Sequence, residues 1–221
     1  MTKIITIDGP SASGKSSVAA LVAYRLGFRY LNSGSLYRYL AYLWDKQKIS
    51  YDEGMDLSNA GLTLSLEFVT NDRGWKVYDM GKDVSDIVQS DVISARASEL
   101  AVYPEVRSFL LDRLRSYATD CQGLVTDGRD MGSVVFPDAT IKLYLTASAL
   151  ERAKRRLKQE HLDEAQLPII EQDIKKRDQR DMLRKQAPLK QSADAVLIDT
   201  SDKTLNDVVH DICQLSRKLD K

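Results

Sequence analysis

Residues 4–16 read Ile4-Ile5-Thr6-Ile7-Asp8-Gly9-Pro10-Ser11-Ala12-Ser13-Gly14-Lys15-Ser16. A short β-branched run stops at a turn signal, Asp8-Gly9-Pro10, and G-x-x-x-x-G-K-[ST] follows in full. Glycines let such a loop curl until successive backbone N–H groups point inward at phosphate oxygens. Behind the loop, Val18, Leu21, Val22 and Leu26 recur at helical spacing, and Gly27 ends the helix they define. The helix N-terminus adds partial positive charge at the place where the loop closes. A Gly-rich turn can exist without a ligand, but the complete motif between a strand and an amphipathic helix points to a nucleoside triphosphate. We therefore expect ATP phosphates at Gly9, Pro10, Ser11, Ala12, Ser13, Gly14, Lys15, Ser16 and Ser17. Lys15 would bridge the β- and γ-phosphates, and the Ser16 hydroxyl would hold the Mg²⁺ that accompanies ATP.

Outward from this loop the chain alternates strand and helix. Leu124-Val125-Thr126, Ile141 to Leu145 and Ala195 to Ile198 read as buried strands. Helical periodicity covers about Ser35–Lys46, Pro104–Tyr117, Ala149–Gln159, Leu167–Arg184 and Leu205–Leu219. Such alternation predicts an α/β fold, a three-layer P-loop architecture with a mostly parallel central sheet covered on both faces. One segment breaks the rhythm. Leu64 to Thr70 alternates, Asn71-Asp72-Arg73-Gly74 turns, and Trp75 to Met80 resumes as a strand, which makes an antiparallel hairpin. With Asp83 to Ser85 and a helix from about Ser90 to Ala101, it forms a small α+β insertion at roughly 62–100.

The 221 residues suffice for one α/β domain with a full core. Hydrophobic residues make up 43% and charged residues 29%, and 32 Lys+Arg against 32 Asp+Glu leave a formal net charge of +0. No overall basic excess draws the chain to nucleic acid or to an anionic membrane, and a neutral, self-sufficient core makes a monomer the expectation. The apolar start ends at Asp8, too short for a signal peptide, and no window is long and apolar enough for a membrane span. Cys121 and Cys213 stand alone, against disulfides or structural zinc and in favour of a reducing cytoplasm.

A P-loop does not say where the phosphate goes. No N-K-x-D guanine-reading motif occurs, and the strand that ends Asp127-Gly128-Arg129 has an arginine where motor-type ATPases carry a glutamate. Residues 151–190 hold 12 Lys/Arg against 8 Asp/Glu, a local basic excess in a neutral chain. Arg152, Arg155 and Arg156 share one helix face, as do Arg177, Arg180 and Arg184. A solvated helical face would show the same run. Beside a P-loop, planar guanidinium forks suit the charge that spreads over a phosphoryl group in transfer, and a closing lid could arise from these helices. A kinase is therefore favoured over a slow regulatory nucleotide switch.

Four stretches taken together resemble the bacterial-type cytidylate kinases, a branch of the nucleoside monophosphate kinases. They are Ile7 to Ser11, Asn32-Ser33-Gly34-Ser35-Leu36-Tyr37-Arg38, Asp127 to Ala139, and Arg177-Asp178-Gln179-Arg180-Asp181 followed by Ala187-Pro188-Leu189. Their order and spacing match that family across nearly the whole chain. The resemblance implies reversible phosphoryl transfer from ATP to CMP or dCMP. It also implies that Ser33, Tyr37, Arg38 and Arg129 gather the acceptor phosphate, with Arg184 joining on closure. Ser98, Arg107 and Asp130 would read cytosine, and Asp181 and Arg177 would contact the sugar. Arg152, Arg155, Arg156 and Arg180 are the unranked lid candidates for the transferred phosphoryl group, with Lys15 the other catalytic residue.

Residue chemistry agrees with the cytosine assignment, because a carboxylate at 130 accepts from an exocyclic amine and repels the carbonyl that uracil shows there. Taken alone, Asp130 could equally be a turn residue or the partner of Arg129. The implied organisation is a core at about 1–31, 102–150 and 190–221, a monophosphate-binding region at about 32–101, and a lid at about 151–189. The chain departs from the family in two places. Asn32 stands where Asp is usual, which predicts a changed rate rather than lost activity. Leu183 stands where a polar residue is more common. Within the kinases, the alternative acceptors are UMP or a small metabolite alcohol.

Overall fold

A computed structural model describes residues 2–47, 57 and 64–218. The described chain begins with strand β1, Lys3–Asp8, which leads through the P-loop into helix α1, Lys15–Leu26. Next come β2 (Arg29–Asn32) and α2 (Ser33–Lys46). β3 (Leu66–Asn71), β4 (Gly74–Asp79) and β5 (Lys82–Asp83) form a separate antiparallel sheet. α3 (Ser85–Gln89), α4 (Asp91–Leu100) and α5 (Pro104–Ser116) follow. β6 (Gly123–Gly128) runs into a five-residue π-helical turn at Met131–Val135, and then come β7 (Ile141–Thr146) and α6 (Ala149–Gln159). A 3₁₀ turn at Glu164–Gln166, α7 (Leu167–Leu183), β8 (Val196–Asp199) and α8 (Leu205–Lys218) complete the described chain.

The main sheet has the order β2-β6-β1-β7-β8, and all of its pairings are parallel. Every residue of β6 is buried, as a strand covered on both faces requires. Alternation along the strands sorts the two layers. Ile5, Ile7 and Val125 pack with Val18 and Val22 of α1 and with Val208 and Ile212 of α8. Leu124 and Met131 pack on the other side with Leu36, Leu40 and Trp44 of α2 and Leu110 of α5. β1 lies between β6 and β7, so the loops after β1, β2 and β6 all leave the same carboxyl edge, where open α/β sheets bind ligands.

The expected α/β architecture is present, and the antiparallel hairpin is present with the added short strand β5. Five local features depart from the sequence reading, the first being that β8, expected as a buried strand, is the sheet's edge and leaves Val196 and Leu197 exposed. β2 was not expected, because four residues carry too little periodicity to register. α2 starts at Ser33 rather than about Ser35, because the Asn32 side chain accepts from the Ser35 N–H at 2.7 Å and caps the helix early. Ser85 opens a separate short helix, α3. The π-helical turn lies within a stretch read only as a motif. Residues 62 and 63 of the expected insertion and Leu219 of the expected last helix lie outside the described residues. Phe68 and Trp75 of the hairpin each meet the Tyr30 ring edge-on at 5.8 Å, which seats the small sheet against the core. α6 and α7 have a core of their own, Ala153, Ile170 and Ile174. Among the described residues, no helix is long and apolar enough to cross a membrane.

Candidate active site

Gly9 opens the P-loop at φ 149°, and a Cβ there would lie 2.0 Å from the Leu145 carbonyl oxygen of β7. Only glycine fits between the two strands. Ala12 adopts φ 57°, a left-handed conformation that a non-glycine residue holds at some cost, as functional loops often do. Lys15 is buried, and its Nζ donates to the Pro10 carbonyl and the Ser13 hydroxyl across the loop. Burial, then the Arg129 guanidinium, hold its ammonium well below the ordinary lysine range, while Asp127 and Asp178 pull the other way. An anion placed here would relieve that imbalance.

A cavity of about 400 Å³ lies over the loop and is lined by residues 11–17, Arg155, Arg156 and Thr200 among others. A second cavity of about 130 Å³ adjoins it. Lys15, Ser16, Arg38 and Arg177 line both. Every residue expected at the acceptor lines the second cavity: Ser33, Tyr37, Arg38, Ser98, Arg107, Arg129, Asp130, Arg177, Asp181 and Arg184. Asp130 pairs with Arg107 and lies 3.5 Å from Arg184 rather than pairing with its neighbour Arg129. Arg129 instead donates to Asp181 at 2.7 Å. The Arg107 guanidinium also sits over the Tyr37 ring at 5.9 Å, and burial pushes that phenol up to about 12. The Ser33 hydroxyl donates to the Asp127 carbonyl at 2.8 Å. Ser98 accepts from Arg180 at 3.3 Å.

Among the described residues, two buried guanidinium nitrogens, Arg38 Nε and Arg177 Nε, have no hydrogen-bond partner, and Arg184 Nη2 has only the 3.5 Å ion pair with Asp130. An unsatisfied buried donor costs about 1–3 kcal/mol, more when charged, so such donors around one cavity mark a place for an anion. Burial, then the nearby Arg129 and Arg38 charges, push Arg177 down to about 9. A phosphate between these groups would satisfy the donors and offset their mutual repulsion.

Asp127, at the end of β6, accepts from the Ser16 hydroxyl at 2.8 Å, from Tyr30 at 2.9 Å and from the Asn32 amide at 3.0 and 3.1 Å. Burial raises this carboxyl, and Lys15 and the three donors oppose the rise. The Asn32 amide therefore acts as a donor to a carboxylate, which an ionised Asp at that position could not do. Ser16 and Asp127 form a small oxygen donor set beside the phosphate loop. Among the described residues no cluster of three acidic, His or Cys side chains exists, so a magnesium ion here would take most of its ligands from nucleotide and water, its usual habit. The residues present fit Mg²⁺ in that role.

The four arginines expected to meet the transferred phosphoryl group are placed differently, and the structure adds residues that the sequence reading missed. Arg152 lines neither cavity. Its guanidinium donates to the Ala147 and Ser11 carbonyls and to Asp178, whose other oxygen accepts from the Ser11 N–H at 2.9 Å. It thus ties α6 and α7 to the P-loop. Arg180 also lines neither cavity, being exposed and turned to Ser98. Arg155 bonds Thr200, and Arg156 pairs with Asp91 and, at 2.9 Å, with Glu160; both line the first cavity. Gly9 and Pro10 line neither cavity, since Gly9 is pressed against β7. Leu183 is 73% exposed and leaves Arg184 to bond the Ala187 carbonyl at 2.6 Å. Asp127 and Asp178 were the missed partners. A carboxylate ending a buried strand beside the P-loop strand was the available signal for the first; nothing local marks the second.

The family model described as cytidylate kinase matches residues 5–218. A cytidylate kinase of Chromobacterium violaceum is 48% identical over 213 residues, which cover 96% of this chain and 94% of that protein. One from Saccharophagus degradans is 41% identical over 222 residues, 98% of each chain. Among solved structures, a gluconokinase from Sinorhizobium meliloti superimposes with a TM-score of 0.52 at 13% identity, covering 98% of this chain and 95% of that one, a likeness of fold alone. With the phosphate loop, the arginine-lined second cavity and the match over residues 5–218 in hand, the chain belongs to the cytidylate kinase family.

Proposed function

We propose that this chain catalyses the reversible transfer of the γ-phosphoryl group of ATP to CMP or dCMP, giving ADP and CDP or dCDP. The observation that carries this reading is the convergence of Arg38 and Arg177, each with an unpartnered buried nitrogen, and of Arg184 on a cavity that also holds Lys15 and Asp130. An acceptor phosphate there would face the γ-phosphate over Lys15. An oxygen of the monophosphate bonds to Pγ while the bond from Pγ to the β,γ-bridging oxygen breaks, and that electron pair leaves on ADP. The acceptor is already anionic at neutral pH, so no strong general base is needed.

Each residue then has a role. Amides of residues 12–17 and Lys15 bind the donor phosphates, and Arg155 and Arg156 face the group in transit. Ser33, Tyr37, Arg38, Arg129 and Arg184 gather the acceptor phosphate, and Asp181 with Arg177 meets the sugar. Ser98, Arg107 and Asp130 read the base. Cytosine offers an amine to Asp130, whereas uracil would set a carbonyl against the carboxylate, a mismatch of a few kcal/mol in a desolvated site. Mg²⁺ bound with ATP at Ser16 would neutralise phosphate charge as it redistributes. Asp127 keeps the Ser16 hydroxyl aimed.

We assign residues 1–31, 102–150 and 190–221 to the core, 32–101 to monophosphate binding and 151–189 to a lid. We further propose that the enzyme works as a cytoplasmic monomer on nucleotides, without nucleic acid or membrane partners. ADP production from Mg-ATP with CMP, dCMP, UMP, AMP, GMP or no acceptor tests the reaction, in the native enzyme and in Asp130→Ala. We expect fast turnover with CMP and dCMP, weak turnover with UMP, and a CMP/UMP gap narrowed by about tenfold or more in the variant. If no monophosphate exceeds the acceptor-free blank, the reading fails.

A further inference from the structure

Asp8 ends β1, immediately before the P-loop, and is 6% exposed. It lines neither cavity. Its two carboxylate oxygens are divided between two backbone donors in the turn that follows β6. The Met131 N–H donates to Oδ1 at 2.9 Å, and the Gly132 N–H donates to Oδ2 at 2.8 Å. These amides open the π-helical turn and are the first two after Asp130. The turn is pressed onto the strand itself, since a Cβ on Gly132 would lie 2.7 Å from the Thr6 hydroxyl. The peptide that carries Asp130 into the second cavity is therefore pinned from behind by β1.

We propose that Asp8 is the positioning residue of the acceptor-reading loop, and that by fixing the peptide after Asp130 it sets the discrimination between a cytosine and a uracil nucleotide. The inference rests on the proposed cytosine-reading role of Asp130. Its chemistry is strict, because both partners are donors. Only an ionised carboxylate offers an acceptor to each. A carboxamide, or a protonated carboxyl, turns a donor toward one of the two amides and loses that bond.

Asp8→Asn and acid should therefore act alike. Burial pushes Asp8 up to about 6, against the pull of the two amides and of Lys15, while Asp130 adds to the rise. Among the described residues, the Tyr144 phenol on β7 also senses it. The geometry thus makes discrimination sensitive to pH just below neutrality.

The experiment measures kcat/KM for CMP and for UMP from about pH 5.5 to about pH 8, in the native enzyme, Asp8→Asn and Asp130→Ala. The two acceptors share the same titrating phosphate monoester, so its protonation cancels in their ratio. In the native enzyme the CMP/UMP ratio should fall about tenfold toward the acid end. In Asp8→Asn it should be low by a similar factor throughout and flat with pH. A native ratio that stays constant with pH, while Asp130→Ala still narrows the gap, overturns the role of Asp8 and leaves that of Asp130 standing. A ratio in Asp8→Asn that keeps the native pH dependence assigns the titration to another group and also overturns it. If Asp130→Ala leaves the gap intact, the base-reading role itself fails, and the specificity role of Asp8 falls with it. Should Asp8→Asn not fold, the native pH profile alone decides.

Discussion

Arg129 donates from Nε to Asp181 Oδ2 at 2.7 Å, joining the loop that leaves β6 to helix α7 through one largely buried ion pair. The pair spans 52 residues of sequence and lies on the wall of the second cavity. One bond thus links the central sheet, α7 and the cavity expected to take the acceptor.

Removing that link has a stability signature with a definite sign. Burial pushes the Asp181 carboxyl up, but Arg129, by charge and by hydrogen bond, outweighs it and holds the group below the unfolded value of 3.8. A depressed folded pKa contributes stability that is present above the unfolded value and lost as pH falls through the folded one. Asp181→Asn should lower stability at neutral pH by on the order of 2–4 kcal/mol, because it leaves Arg129 without its charge partner. Its melting temperature should also fall less steeply than the native one below about pH 4. Thermal melts across pH check this, and parallel curves would refute it.

Lys15 tests the charge-neutralising part of the proposed reaction. Lys15→Met keeps the chain length and the loop amides but removes the charge. We expect kcat to fall by on the order of a thousandfold, with ADP binding retained because the backbone cradle persists. Turnover and calorimetry separate the two effects, and weakened ADP binding with kcat unchanged would show that Lys15 serves binding alone.

The lid arginines divide by burial. Arg152 is buried with Asp178, whereas the Asp91 partner of Arg156 is 53% exposed. Arg152→Ala should cost about 3–5 kcal/mol, roughly a 10 °C drop in Tm for a chain of this size. Arg156→Ala should leave Tm within about 2 °C yet lower kcat by about tenfold or more. A catalytic defect without a stability defect in Arg152→Ala would reverse the assignment.

Closure of the lid over both nucleotides would keep water from the phosphoryl group. Exposed Lys175 and Lys176 on α7 give trypsin a point of attack. Cleavage between Ala149 and Arg184 should slow when CMP and a non-hydrolysable ATP analogue are present together, more than with either alone. Unchanged cleavage would count against closure.

The nine P-loop residues, the parallel sheet and the hairpin were legible because each is set by a local rule. Glycine spacing shapes a loop, periodicity sorts strand from helix, and Asn71 to Gly74 can only turn. The motif containing Arg129 and Asp130 was legible as a unit through its resemblance to a family, but its bonds were not. Sequence left Asp130 free to pair with Arg129, and the structure pairs it with Arg107, 23 residues away. β2 escaped because four residues between two helices show no period. Asn32, readable only as a departure from a pattern, proves to be a helix cap and a donor to Asp127 at once.

From its sequence alone this chain was committed to a phosphate-binding loop at the end of a parallel strand, with a surplus of arginine following it. Those properties depend on residues within a few positions of one another. Which arginine binds an anion and which one braces the fold depends on carboxylates that arrive from far along the chain. Asp178 reaches Ser11 across 167 residues and claims Arg152, while Arg38 and Arg177 enter the cavity with nitrogens unclaimed. Burial makes that distinction energetic, because only a desolvated charge must find its partner, and only the packed chain says which charges are desolvated.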